Sequence, residues 1–101
     1  MSQASISERA PGQLQLTGVL DYSTGPMLRD QGARLIAACG AKRLSLDCSA
    51  VEKSSSVGLA LLLAFIRDAR TSGRELSVSG LPQDMRQIAQ VSGLLELLPL
   101  E

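Results

Sequence analysis

The chain has 101 residues, with ten basic and ten acidic side chains, no histidine and no tryptophan. That length holds one core, and 45% hydrophobic against 20% charged residues is a composition that folds. Zero net charge leaves no electrostatic footprint for nucleic acid or an anionic membrane, and two aromatics leave no stacking platform for bases. Without histidine the commonest general base and metal ligand are missing, so no enzyme, metal or cofactor is expected.

Residues 1–12 are polar, with Glu8, Arg9, Pro11 and Gly12, which excludes a signal peptide core and leaves room for an edge strand over 4–7. Gln13-Leu14-Gln15-Leu16-Thr17-Gly18-Val19-Leu20 alternates polar and apolar residues, the period of a half-buried strand. Ser23, Thr24 and Pro26 then supply a cap and a first-turn proline. The helix they open puts Leu28, Leu35, Ile36 and Cys39 on one side, with Gly32 allowing a close approach and Gly40 expected as its terminator.

A second strand is predicted over 43–48, followed by a serine-rich turn and a helix over 57–71 ended by Gly73. The apolar run inside that helix, 57–66, stops at Arg67. A bilayer span needs roughly 20 residues, so no membrane insertion is expected. A third strand follows over 74–79, and Pro82 opens a last helix through Met85, Ile88 and Ala89. Gly93 suits the left-handed position after that helix, with Leu94 as its apolar partner, and the tail 94–100 is apolar enough to dock on the core.

Strands alternating with helices predict one α/β domain over 1–101, a mixed sheet of four to five strands with three to four helices packed on it. Cys39 and Cys48 are too few for a disulfide framework and are read as buried packing in a reducing compartment. Asp21 and Asp47 stand at chain turns, where carboxylates accept turn amides. Arg67, Asp68 and Arg70 are expected to form a solvated last helical turn, and Met27 and Met85 to fill the core or its edge.

The stretch Leu44-Ser45-Leu46-Asp47-Cys48, then Ser54-Ser55-Ser56-Val57-Gly58-Leu59-Ala60-Leu61-Leu62-Leu63, resembles the central signature of STAS domains. Leu16-Thr17-Gly18-Val19-Leu20-Asp21 before it, and Gly73-Arg74-Glu75-Leu76 and Val91-Ser92-Gly93-Leu94 after it, resemble the rest of that fold. The resemblance implies a non-catalytic docking or switching module of one of two kinds. In anti-sigma-factor antagonists a serine in Asp-Ser-Ser-Gly is phosphorylated by a partner kinase. In MlaB-type proteins the domain docks on the ATPase of a phospholipid-handling ABC transporter. Gly58-Leu59-Ala60-Leu61-Leu62-Leu63 is closer to the second kind, and Ser55 stands where both patterns have Asp.

The expected function is therefore a cytoplasmic subunit, peripheral to the inner membrane through a complex of ATPase and permease. The alternative is an anti-sigma-factor antagonist phosphorylated at Ser56, its partner an anti-sigma factor kinase. Ser56 is expected to cap the helix, and Gly58 to let a partner approach the backbone. Helical spacing adds a second argument. Leu59, Leu62, Leu63 and Ile66 form one stripe that suffices for the core, while Val57, Leu61 and Ala64 fall opposite, with Phe65 beside them. That second stripe is expected to face solvent until a partner covers it. The expected docking residues are Ser55, Ser56, Val57, Gly58, Leu61 and Phe65.

Overall fold

Chain reversal at Pro11-Gly12, with Gly12 at φ 78, turns the expected edge strand into half of a hairpin. The computed structural model describes residues 4–100; residues 1–3 of the polar N-terminal segment, and residue 101, lie outside the described residues. Strand β1 (Ala4–Ala10) pairs antiparallel with β2 (Gln13–Leu20). β2 pairs parallel with β3 (Arg43–Ser54), and β3 parallel with β4 (Glu75–Ser79). The sheet is thus mixed, in the order β1-β2-β3-β4. Helix α1 (Gly25–Ala38) links β2 to β3, α2 (Ser56–Thr71) links β3 to β4, and α3 (Gln83–Val91) follows β4.

Parallel strands added in one direction, each through a right-handed crossover, put their helices on one face of the sheet. The buried residues agree: Leu14, Leu16 and Leu20 of β2, Leu44, Leu46 and Cys48 of β3, and Leu76 and Val78 of β4 all turn inward. Their alternates, including Gln13, Gln15, Ser45, Asp47 and Ser77, are exposed or half-buried. This one-sided burial explains why even the central parallel strand alternates in sequence instead of running apolar. Leu28 and Ile36 of α1, Leu62 and Phe65 of α2, and Met85 and Ala89 of α3 close the core from the helical side.

Two glycine-terminated helix ends are as expected. After α2, Gly73 takes φ 73 and Arg74 N–H donates to Ala69 O at 2.8 Å; after α3, Gly93 takes φ 72 and Leu94 N–H donates to Ala89 O at 2.8 Å. The end of α1 is different. Cys39 leaves the helix in extended conformation, so Gly40 terminates nothing. The tail docks as predicted: Leu98 is buried, and Leu100 bridges Val78 while Val78 N–H donates to Pro99 O at 2.9 Å.

Three further expectations are corrected. First, β3 runs past Cys48 to Ser54, so the segment expected as a serine-rich turn is strand up to Ser54, and the turn is confined to Ser55. Its register shifts twice: from Gln15 to Thr17 the partner advances from Asp47 to Ala50, and from Gly18 to Val19 it advances from Val51 to Lys53. Each bulge inserts a residue, so the buried phase jumps from Cys48 to Val51 and then to Ser54 and the period of two is lost. Second, Asp68 is no solvated end residue; its carboxylate receives both Arg29 guanidinium nitrogens, at 2.5 and 3.2 Å, and clasps α1 to α2.

Third, beyond half-buried Val57 the second stripe of α2 does not face solvent. Leu61 is 4% exposed, Ala64 8% and Phe65 0%. Helix α1 covers them, because it presents glycines two turns apart. A Cβ at Gly25 would stand 2.8 Å from Val57 Cγ1, and one at Gly32 only 2.3 Å from the Phe65 ring. The absent side chains let the two helices meet closely enough to bury Leu61, Ala64 and Phe65. Leu63, assigned to the core stripe, is only half-buried.

Candidate functional site

The junction between β3 and α2 is built from three consecutive serines with three different roles. Ser54 is buried; its hydroxyl donates to Ser55 O at 2.8 Å. Ser55 is extended, with φ −88 and ψ −173, and its N–H donates to Leu20 O at 2.9 Å, which completes the β2–β3 ladder. Its Oγ accepts from Val57 N–H at 3.2 Å, and its carbonyl from Gly58 N–H at 3.0 Å. Ser55, not Ser56, is therefore the cap, one residue earlier than expected. The strand geometry of the last β3 peptide sets the extended conformation that a cap residue needs.

That shift leaves Ser56 as the first helical residue, exposed, its hydroxyl bonded to no group among the described residues. It stands at the positive end of the α2 dipole, where an anionic group is stabilised. Gly58 has the opposite fate. It is buried, and a Cβ there would lie 2.0 Å from Ser54 Oγ, 3.1 Å from Leu20 Cδ1 and 3.2 Å from Met85 Cε. Its missing side chain serves internal packing, so it offers no backbone to a partner.

One residue beyond Ser56 a shallow apolar groove begins, about 450 Å³ in volume, between the start of α1 and the first half of α2. Val57, Ala60, Leu61 and Ala64 line it from α2, and Tyr22, Gly25, Pro26 and Arg29 from the other side. Tyr22 is 85% exposed and Ala60 is exposed. A concavity of about 760 Å³ lies at the other end of the sheet, around Gln13, Arg43 and Arg74, with no part in this junction.

Of the expected docking residues, Ser55, Ser56 and Val57 meet at one surface. Leu61 forms a wall of the groove with little free area, and Gly58 and Phe65 are interior. Tyr22, Pro26 and Ala60 were missed. Tyr22 carried a signal: in a chain with one tyrosine and one phenylalanine, this one stands in a polar turn directly before a helix.

The titratable groups near the turns are structural. Asp21 Oδ1 accepts from the Ser23 hydroxyl at 2.6 Å and from Ser23 N–H at 2.9 Å. The hydroxyl bond is the main cause that holds its carboxyl below the usual range. This fixes the loop that carries Tyr22. Asp47 is likewise held low, chiefly by the Ser49 N–H donating to Oδ1 at 2.9 Å. Burial, with the Asp47 charge adding to it, pushes the Cys48 thiol up to about 12, which removes it as a nucleophile at neutral pH. Among the described residues no cluster of His, Cys, Asp and Glu could hold a metal ion, and no helix is long and apolar enough to cross a membrane.

A family model described as "Mlab, STAS domain" matches residues 5–99. Among solved structures, an anti-sigma factor antagonist from Mycobacterium paratuberculosis is similar with a TM-score of 0.77 and 24% identity, over 99% of this chain and 85% of that one. The Bacillus cell fate determinant SpoIIAA in its phosphorylated form gives 0.68 and 17%, over 98% and 91%. The STAS domain of a SulP transporter from Vibrio cholerae gives 0.57 and 17%, over 71% and 60%. At these identities the structural likeness establishes the fold alone.

Proposed function

We propose that this chain, which belongs to the STAS-domain family, is the docking subunit of a phospholipid-trafficking ABC transporter and grips the ATPase through the β3–α2 junction. It works in the cytoplasm, held at the inner membrane by the complex of ATPase and permease. It performs no chemistry of its own and acts by stabilising the ATPase in a productive assembly. The observation that carries this reading is the Ser56 hydroxyl, exposed beside an apolar groove and bonded to no group among the described residues, because the cap is supplied by Ser55. The description of the matching family model and the run Leu59-Ala60-Leu61-Leu62-Leu63 support the transporter over other uses of the fold.

The test is calorimetry with the purified ATPase. Ser56→Thr keeps a hydroxyl and should bind as the native chain does. Ser56→Glu adds bulk and charge to the contact and should weaken binding by about tenfold or more. Equal affinities for both variants would remove the turn from the interface.

The same exposed hydroxyl favours a second reading, a signalling switch phosphorylated at Ser56 by an anti-sigma factor kinase. It is supported by similarity in fold to an anti-sigma factor antagonist. Stoichiometric phosphate on Ser56 after incubation with such a kinase, together with no affinity for the ATPase, would establish it over the first.

A further inference from the structure

We infer that Asp84, on the first turn of α3, is a positioning residue for the docking turn, an inference that rests on the docking reading above. Strand β4 ends at Ser79, opposite Asp47, so residues 49–54 of β3 have a strand on one side only. In a parallel ladder successive amides point to opposite sides. Ser55 N–H goes to Leu20 O on β2, so the Ser54 amide points to the side that β4 leaves open. A half-buried amide there needs an acceptor from elsewhere.

Asp84 supplies it. Its Oδ2 accepts from Ser54 N–H at 2.8 Å, a bond strengthened by the carboxylate charge. The next residue of α3, Met85, is fully buried, with its methyl against Gly58. Helix α3 thus holds both flanks of the turn, Ser54 through a carboxylate and Gly58 through a side chain. From Ser54 the constraint continues through its hydroxyl to Ser55 O and from the Ser55 hydroxyl to Val57 N–H. The orientation of Ser56 is set between these bonds. The carboxylate of α3 therefore stands in for the missing strand, and a change in the seating of α3 is passed to the surface offered to the partner.

Amide hydrogen exchange by NMR on the free protein tests the link, with affinity for the purified ATPase as the second readout. Asp84→Ala should speed exchange at Ser54, Ser55 and Val57 by about tenfold while Leu16 and Leu44 change little. Asp84→Asn, which keeps an oxygen but not the charge, should fall between and remains readable if the alanine variant folds poorly. Affinity should drop by about fivefold in Asp84→Ala. Unchanged exchange at Ser54, or an equal rise at all these amides, overturns the inference. Lost affinity in Ser56→Glu with native affinity in Asp84→Ala also overturns it. Faster local exchange with native affinity in both variants supports the link and instead overturns the docking reading.

Discussion

The opening turn of α2 and the two turns after it are written in the same small and aliphatic residues, yet they meet different neighbours. In the middle, Leu61 and Phe65 look like a spare apolar stripe and are buried against α1, which Gly25 and Gly32 let approach. At the start, Ser55 and Ser56 look like one interchangeable pair. One is spent on the cap and the other is left free. An apolar stripe on one helix is thus no measure of free surface until the small residues on its neighbour are counted, whereas a polar pair is divided by the backbone conformation beneath it.

Leu61→Asp and Leu62→Asp should both destabilise the free domain severely, by roughly 3–5 kcal/mol, since each puts a carboxylate at a buried position packed among apolar side chains. Urea denaturation decides it. A loss near 0.5 kcal/mol for Leu61→Asp beside a large one for Leu62→Asp would mean that α1 does not cover the stripe in solution.

How much of this was legible in the sequence follows from the same contrast. Local signals survived: the alternation of Gln13–Leu20, the glycines that end α2 and α3, and Pro82 ahead of α3 depend on a few neighbouring residues. Signals that need a second element did not. The far half of β3 hides behind two bulges that its partner β2 defines, and the middle of α2 is covered by the preceding helix, which comes close because Gly25 and Gly32 lack side chains beside Val57 and Phe65. The site fell between these cases. Ser56 was legible as a docking residue, but which serine caps depends on how far β3 extends. Tyr22 comes to the groove from another element.

The strand that leads into the turn offers the next test, through pH. The folded Cys48 thiol stays neutral to about 12 against an ordinary 9.0, so its contribution is complete below pH 9 and is lost as pH rises toward 12. The loss is on the order of 4 kcal/mol at most, from three units at about 1.36 kcal/mol each. Cys48→Ala should flatten that alkaline decline in denaturation curves measured between pH 9 and 11. If the native chain shows no decline, Cys48 is wetter than β3 places it. Asp21 and Asp47 act with the opposite sign: their lowered values give stability that is present at neutral pH and lost as pH falls through the carboxylate range.

Gly58 separates internal packing from partner contact. Gly58→Ala should cost about 1–3 kcal/mol, because the new methyl meets Ser54 Oγ at 2.0 Å and two packed side chains beyond it. Adding Ser54→Gly should recover part of that loss in the double variant, as coupled neighbours do. A Gly58→Ala domain as stable as the native one, but unable to bind the ATPase, would return Gly58 to the surface.

The smallest effect sharpens the division between the two serines most. Ser55→Ala removes the oxygen that accepts the Val57 N–H and should cost about 1 kcal/mol of stability, as lost caps do. Ser56→Ala removes a hydroxyl that bonds to no group among the described residues, and alanine is a better helix former than serine, so stability should hold or rise by a few tenths of a kcal/mol. For the partner the order reverses: Ser56→Ala should weaken the ATPase complex more than Ser55→Ala does, once the latter is measured below its unfolding temperature. Thermal denaturation and calorimetry on the same two proteins give both numbers. Should Ser56→Ala lose the larger stability, the cap belongs to Ser56, the helix starts one residue later, and the free hydroxyl that the docking reading depends on is Ser55.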